Sequence, residues 1–240
     1  MKTVLITGAN KGIGFETAKQ LAELGYFVYI GSRNQQNGQE AVEKLKALGL
    51  VNVDFIQIDV AELDSVKEAR AELESKIDAL DILINNAGIS GEQPQSFSTG
   101  NMANLRNLFD TNFFGTVQTT QQFLPLLNKS TQPVIINVSS EVGSLTLHAR
   151  EGKSPNWNLY SAYGSTKTAL NAFTIMLANE LRGTAFRVNS VTPGYTATDL
   201  NQHKGLKTAE EGAKPIVRIA TQLDRSDTGK FYKDTGEVPW

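Results

Sequence analysis

The stretch Val4-Leu5-Ile6-Thr7-Gly8-Ala9-Asn10-Lys11-Gly12-Ile13-Gly14 decides how the rest of the chain is read. Val4-Leu5-Ile6 is a continuous apolar run, the mark of a strand covered on both faces. Three glycines, Gly8, Gly12 and Gly14, follow it and open a helical period. Glycine permits a tight turn and a close backbone approach, and the first turn of a helix offers unpaired N–H groups to an anion such as a pyrophosphate. The spacing TGxxxGxG is a variant of the G-x-G-x-x-G dinucleotide fingerprint. Taken alone it serves a plain strand-to-helix turn equally well. The helix that follows carries Gly14, Ala18, Leu21 and Gly25 on one stripe, mostly small residues predicted to lie close on a sheet.

The same alternation runs outward from this unit. Phe27 to Ile30, Val53 to Ile58, Ile82 to Ile84, Val134 to Val138, Phe186 to Val191 and Gly229 to Tyr232 read as strands. Between them lie helical periods: Gln35 to Leu48, the face of Val66, Ala69, Leu73 and Ile77, the span from Leu105 to Leu127, the face of Leu170, Phe173, Leu177 and Leu181, and the stripe of Ala213, Ile216, Val217 and Ala220. Repeated β–α alternation predicts an α/β, Rossmann-type doubly wound parallel sheet of about seven strands with helices on both faces. Without a linker, charge block or internal repeat, residues 1–240 read as a single domain. The stretches 93–100 and 150–158 are the most loop-like. In such a sheet, ligands sit beyond the carboxyl ends of the strands.

Composition narrows the chemistry. The 240 residues carry 23 Lys and Arg against 25 Asp and Glu, a net charge of −2, which excludes a strongly basic nucleic-acid binder and an acidic tail. There is no cysteine, so disulfides, thiolate catalysis, Cys-ligated zinc and iron–sulfur clusters are excluded. Two histidines, His148 and His203, argue against a histidine-rich metal site and a Ser-His-Asp triad, and no metal is expected. No run approaches the roughly 20 apolar residues of a membrane span. The opening apolar run is too short for a signal peptide, and a cytoplasmic location is the expectation. Asn128 and Asn137 match the glycosylation pattern and read as chance.

Four further segments stand just after predicted strands or on predicted helices: Asn85-Asn86-Ala87-Gly88, Ser139-Ser140, Tyr163-Gly164-Ser165-Thr166-Lys167 and Pro193-Gly194. Tyr163 and Lys167 are four apart, so on a helix they share one face. With residues 7–14 and Asn112, these segments fall in one order along the chain. In that order they resemble the compact short-chain dehydrogenases/reductases, and most closely the NADPH-dependent carbonyl reductases. The resemblance implies hydride transfer between a nicotinamide cofactor and a small carbonyl or alcohol. It implies cofactor contacts from Gly8, Asn10, Lys11, Gly12, Ile13 and Gly14 in the turn, and from Asp59 and Val60 beside the adenine. It adds Asn86, Ala87 and Gly88 at the adenosine ribose, and Pro193, Gly194, Thr196 and Thr198 near the nicotinamide.

The cofactor itself is read from the end of the second strand. An NAD enzyme places an acid there for the ribose 2′-hydroxyl. Here the strand ends Ile30-Gly31-Ser32-Arg33-Asn34, without a carboxylate. Arg33 stands in its place and Lys11 lies inside the glycine turn. A guanidinium suits a 2′-phosphate, and no acid repels it, so NADP(H) is expected.

For catalysis, Tyr163 would be the general acid/base, with Lys167 near it lowering the phenol's pKa and binding the nicotinamide ribose. Ser140 would hydrogen-bond the substrate oxygen; its neighbour Ser139 competes for that role, and the family pattern selects Ser140. Asn112 would hold a water linking Lys167 to solvent. Tyr195, with Val142 and Trp157, would line the substrate pocket, beneath a lid made short by the few residues between Thr198 and Thr208. From Ser140 to Tyr163 the chain advances 23 residues, about ten more than many relatives. The extra residues, around 148–158 and including Gly152, Pro155 and Trp157, would sit at the pocket mouth or on the helix face used to dimerise. Monomer and homo-oligomer both stay open. So does a catalytically idle NADP(H)-sensing protein of the same fold.

Overall fold

The computed structural model describes residues 1–150, 155–221 and 227–240. They form one eight-stranded sheet in the order β3-β2-β1-β4-β5-β6-β7-β8. The strands are β1 (Thr3–Ile6), β2 (Phe27–Ser32), β3 (Val53–Gln57), β4 (Ile82–Asn85), β5 (Val134–Val138), β6 (Arg187–Val191), β7 (Phe231–Lys233) and β8 (Gly236–Glu237). The first seven run parallel; the two-residue β8 returns antiparallel on β7 and was not legible in the sequence. Among the described residues eight α-helices connect or flank the strands: α1 (Gly12–Glu23), α2 (Gln35–Ala47), α3 (Leu63–Lys76), α4 (Met102–Phe109), α5 (Gly115–Leu127), α6 (Leu145–His148), α7 (Ser161–Glu180) and α8 (Ala209–Thr221).

Alternation along the strands sorts the core onto two faces. Val4, Ile6, Val28 and Ile30 pack with Ala18 and Leu21 of α1, Leu45 of α2 and Ile216 of α8. Leu5, Leu83 and Ile135 point the other way, to Leu73 of α3, Phe123 and Leu126 of α5 and Leu177 of α7. Both faces of each central strand are therefore dry, which is why these strands read as unbroken apolar runs.

One expectation about a helix is corrected, and another, that 105–127 is helical, is met with a refinement. Gly25 does not extend the stripe of α1: it is exposed, at φ +84°, in the turn that ends the helix. Residues 105–127 do not form one α-helix. The backbone widens to a π-helical turn over Asp110–Phe114, between α4 and α5. Such turns concentrate at functional sites because they re-aim a side chain; this one turns Asn112 fully inward, at 0% exposure.

The reversal of strand order lies between β1 and β4, which are hydrogen-bonded neighbours. The connections leaving them diverge to opposite faces and open a crevice at their carboxyl ends. Residues 7–14 and 86–90 line that crevice.

Candidate active site

The glycine turn is built to take an anion. Gly8 and Gly12 adopt φ of +64° and +59°, the left-handed region that glycine enters without strain. A side chain on Gly14 would meet Asn86 Nδ2 at 2.5 Å and the Gly8 carbonyl at 2.6 Å, so the backbone is closed up to its limit. Lys11 precedes α1 and gives it no side-chain cap, and no acid stands in its first turn. The N–H groups of that turn are left for a ligand. This cradle fits a dinucleotide's pyrophosphate.

Thr7 and Asn86 hold the turn to the loop after β4. Asn86 Nδ2 donates to the carbonyls of Thr7 and Gly8 at 2.9 and 3.0 Å. The Thr7 hydroxyl accepts the backbone N–H groups of Asn86 and Ala87, both at 3.1 Å. Thr7 opens the motif in sequence, but nothing local marks it as a working residue; its clamp depends on a segment some eighty positions away. Gly88 faces Asn112 Oδ1 and Lys167 Nζ, at 3.1 and 3.7 Å from where a Cβ would stand.

Around this floor the outlying residues divide. Arg33 is exposed directly after β2, and Asn34 beside it caps α2 by accepting the Asn37 N–H at 2.9 Å. Asp59 is partly buried and accepts the Ala61 N–H at 3.0 Å; Val60 is buried, and its carbonyl accepts Gln118 Nε2. Lys11 is ion-paired to Asp199, which also meets His203 Nε2 at 2.8 Å. Thr198 caps the turn Asp199–Asn201 and lies over Gly12. The Thr196 hydroxyl is turned inward to the carbonyls of Pro193 and Gly194, both at 3.3 Å.

Ser140, Tyr163 and Lys167 converge at the carboxyl end of β5. The Tyr163 phenol faces the Ser140 side chain, which favours its ionised form. Ser139 is 2% exposed, and its Oγ meets no partner among the described residues. Geometry thus puts the second serine, not the first, beside the phenol. Lys167 Nζ lies 5.7 Å from the centre of the Tyr163 ring and donates to the Val138 carbonyl at 2.8 Å.

The electrostatics depart from expectation. Burial pushes the Tyr163 phenol above its ordinary value, opposed by the neighbouring Ser140 side chain. Burial also pulls the Lys167 amine down, to about 8. Desolvation penalises the charged form of each group and is the largest influence on both. Burial thus favours the protonated phenol, the form that can donate a proton.

Asn112 is a clamp. Its Oδ1 accepts the Ile89 N–H at 2.8 Å, and its Nδ2 donates to the Ile89 carbonyl at 2.9 Å and to Thr166 Oγ1 at 3.1 Å. Both ends of the amide are thus engaged by protein, and Oδ1 keeps one acceptor position beyond the Ile89 N–H. Tyr195 is 48% exposed beyond Gly194. Tyr160 stands edge-on to Tyr163 with ring centres 6.4 Å apart, and Trp157 lies 5.1 Å from His148. Part of the expected extra segment therefore folds beside the start of α7; Gly152 lies outside the described residues.

Beneath the site runs a buried polar seam. Asn85, Asn137 and Ser190 are register neighbours on β4, β5 and β6. Asn85 Nδ2 donates to Asn137 Oδ1 at 2.9 Å and to Thr120 Oγ1 at 3.0 Å. Asn137 Nδ2 donates to Thr174 of α7, which meets Ser190, both at 2.9 Å. The available signal is an asparagine inside the apolar run of β5, where it also matches the glycosylation pattern.

A family model for short chain dehydrogenase matches residues 2–209. The chain is 32% identical to salutaridine reductase of Papaver bracteatum, over 97% of this chain and 94% of that protein. It is also 32% identical to carbonyl reductase (NADPH) 1 of Mus musculus, over 98% and 97% of the two chains. The solved structure of salutaridine reductase from Papaver somniferum superposes with a TM-score of 0.85 at 31% identity, covering 97% of this chain and 99% of that one. The chain belongs to the short-chain dehydrogenase/reductase family: it is an oxidoreductase of small molecules and resembles the carbonyl reductases. Among the described residues, no helix is long and apolar enough to cross a membrane.

Proposed function

We propose that this chain, acting as one domain, reduces aldehydes or ketones to alcohols with NADPH, reversibly. One observation carries the reading. Ser140, Tyr163 and Lys167 meet at the end of β5, with Ser140 facing the Tyr163 phenol and Lys167 Nζ 5.7 Å from its ring. The mouse relative whose name pairs a carbonyl reductase with NADPH supports the substrate class and the cofactor.

The residues that would hold the cofactor are the backbone of residues 8–14, Arg33 and Lys11 at the 2′-phosphate, Asp59 and Val60 at the adenine, and Asn86 to Gly88 at the ribose. Lys167 would take the nicotinamide ribose hydroxyls, with Pro193, Gly194, Thr196 and Thr198 around the nicotinamide end. When bound, NADPH supplies the hydride that the carbonyl carbon accepts. The Ser140 hydroxyl donates a hydrogen bond to the substrate oxygen and fixes its position. The Tyr163 hydroxyl gives its proton to that oxygen as negative charge develops there. A phenol held protonated by burial is suited to this direction. Lys167, kept mostly charged below about pH 8, stabilises the phenolate that remains until a proton returns from solvent. Tyr195 walls the open side of the pocket.

Tyr163→Phe removes the transferable proton and leaves the ring. It should abolish nearly all loss of NADPH absorbance with quinones, isatin and aldehydes while NADPH still binds. Retention of about a tenth or more of the wild-type rate would sink the assignment.

A further inference from the structure

Gln95 is buried, 3% exposed, while Gln93, Pro94 and Phe97 around it are exposed. Its Oε1 accepts the backbone N–H of Tyr163 at 3.0 Å, and its Nε2 donates to the Ser90 carbonyl at 2.6 Å. Tyr163 is the third residue of α7, and its N–H is one of the four that a helix leaves without an internal partner. Tyr160, which precedes the helix, gives no side-chain cap. Gln95 takes that place from 68 residues away.

The contact belongs to a wider brace. The Tyr163 carbonyl accepts the Thr166 hydroxyl at 2.7 Å, and Thr166 Oγ1 accepts Asn112 Nδ2 at 3.1 Å. Ser90 Oγ donates to the Leu200 carbonyl at 2.8 Å, in the turn that follows Thr198. One buried amide thus joins the first turn of α7 to the loop after β4 and, through Ser90, to the segment over the glycine turn.

We infer that Gln95 is a positioning residue, which holds the first turn of α7 so that the Tyr163 hydroxyl meets Ser140, and which acts through the Tyr163 backbone without touching substrate. The inference rests on the reading of Tyr163 as proton donor. A buried amide is an expensive way to close a surface loop; here it completes a helix end that carries the reacting phenol.

The test uses the full chain. Gln95→Met keeps length and bulk but neither accepts from Tyr163 nor donates to Ser90. Gln95→Glu keeps the acceptor and loses the donor. In Gln95→Met, kcat for carbonyl reduction should fall by about tenfold or more, with KM for NADPH within about twofold of wild type. Gln95→Glu should keep at least about a third of kcat. Gln95→Asn withdraws the amide by one methylene and should lose as much kcat as the methionine variant, which it replaces if that variant does not fold. Unchanged kcat in the methionine and asparagine variants, or an equal loss in the glutamate variant, overturns the inference. So does a KM for NADPH that rises as steeply as kcat falls, since that marks a collapsed loop. Deuterium exchange at the Tyr163 amide, followed by NMR, should quicken by about tenfold in Gln95→Met and hold in Gln95→Glu. Exchange needs no turnover. It decides the Gln95 contact even if Tyr163→Phe keeps its rate, a result that would sink the proton-donor reading instead.

Discussion

Lys167 Nζ sits 2.8 Å from the carbonyl oxygen of Val138, so the amine of α7 is tied to the last residue of β5, two positions before Ser140. That bond sets the distance between the helix that carries Tyr163 and the strand end that carries Ser140. It also buries an amine at 4% exposure, which has a cost in stability.

The cost has a definite pH signature. The amine falls from an ordinary 10.5 to about 8 in the folded chain. Between those values the unfolded chain holds a proton that the folded chain has shed, so this group raises stability as pH climbs through the window. Below about pH 8 the charged amine stays buried, at a cost on the order of 3 kcal/mol, partly returned by the Val138 bond. Lys167→Met should therefore raise Tm by a few degrees near pH 6 while eliminating turnover, and the gain should fade by about pH 10. Thermal unfolding of both proteins across that range checks it; a lower Tm for the variant at pH 6 would show that the Val138 bond outweighs desolvation.

Cofactor choice should follow Arg33. Catalytic efficiency with NADPH is expected to exceed that with NADH by more than about tenfold, and Arg33→Asp should reverse the order by installing the acid that repels a 2′-phosphate. Steady-state kinetics with both cofactors decide this. Equal efficiencies in the wild type would refute the NADP(H) reading.

Asp199 and an incoming 2′-phosphate would compete for Lys11. The carboxylate is held below its ordinary range, first by the hydrogen bond from Lys11 and then by His203. Asp199→Asn should tighten NADPH by about two- to fivefold at low salt and leave NADH nearly unchanged. Fluorescence titration at two ionic strengths measures it. An equal change for both cofactors would place Lys11 away from the 2′-phosphate.

The seam under the site should be costly to break. Asn137→Ala removes partners from Asn85 and Thr174, both buried, and should destabilise by about 2–4 kcal/mol in urea unfolding. A change under about 0.5 kcal/mol would mean that water replaces the lost amide.

Legibility followed the range of the interactions. Strand runs and helix faces depend on neighbours a few residues apart, so β1 to β7 and most helices could be read within a residue or two. The glycine turn was legible for the same reason: Gly8, Gly12 and Gly14 act on their own backbone. The π-helical turn at Asp110–Phe114 was not, because no local propensity demands it. Gln95 was equally hidden. Its partner lies 68 residues on, and a glutamine among exposed loop residues carries no local mark of burial.

By itself the order of residues determined the layered α/β plan and which side chains are candidates for the chemistry, since periodicity and functional groups are properties of the chain read locally. Only folding decided which serine faces the phenol, that the Asn112 amide clamps Ile89 and Thr166, and that Tyr163 and Lys167 lose water together. Those outcomes depend on desolvation and on hydrogen bonds between distant segments, and neither exists until the crevice has closed.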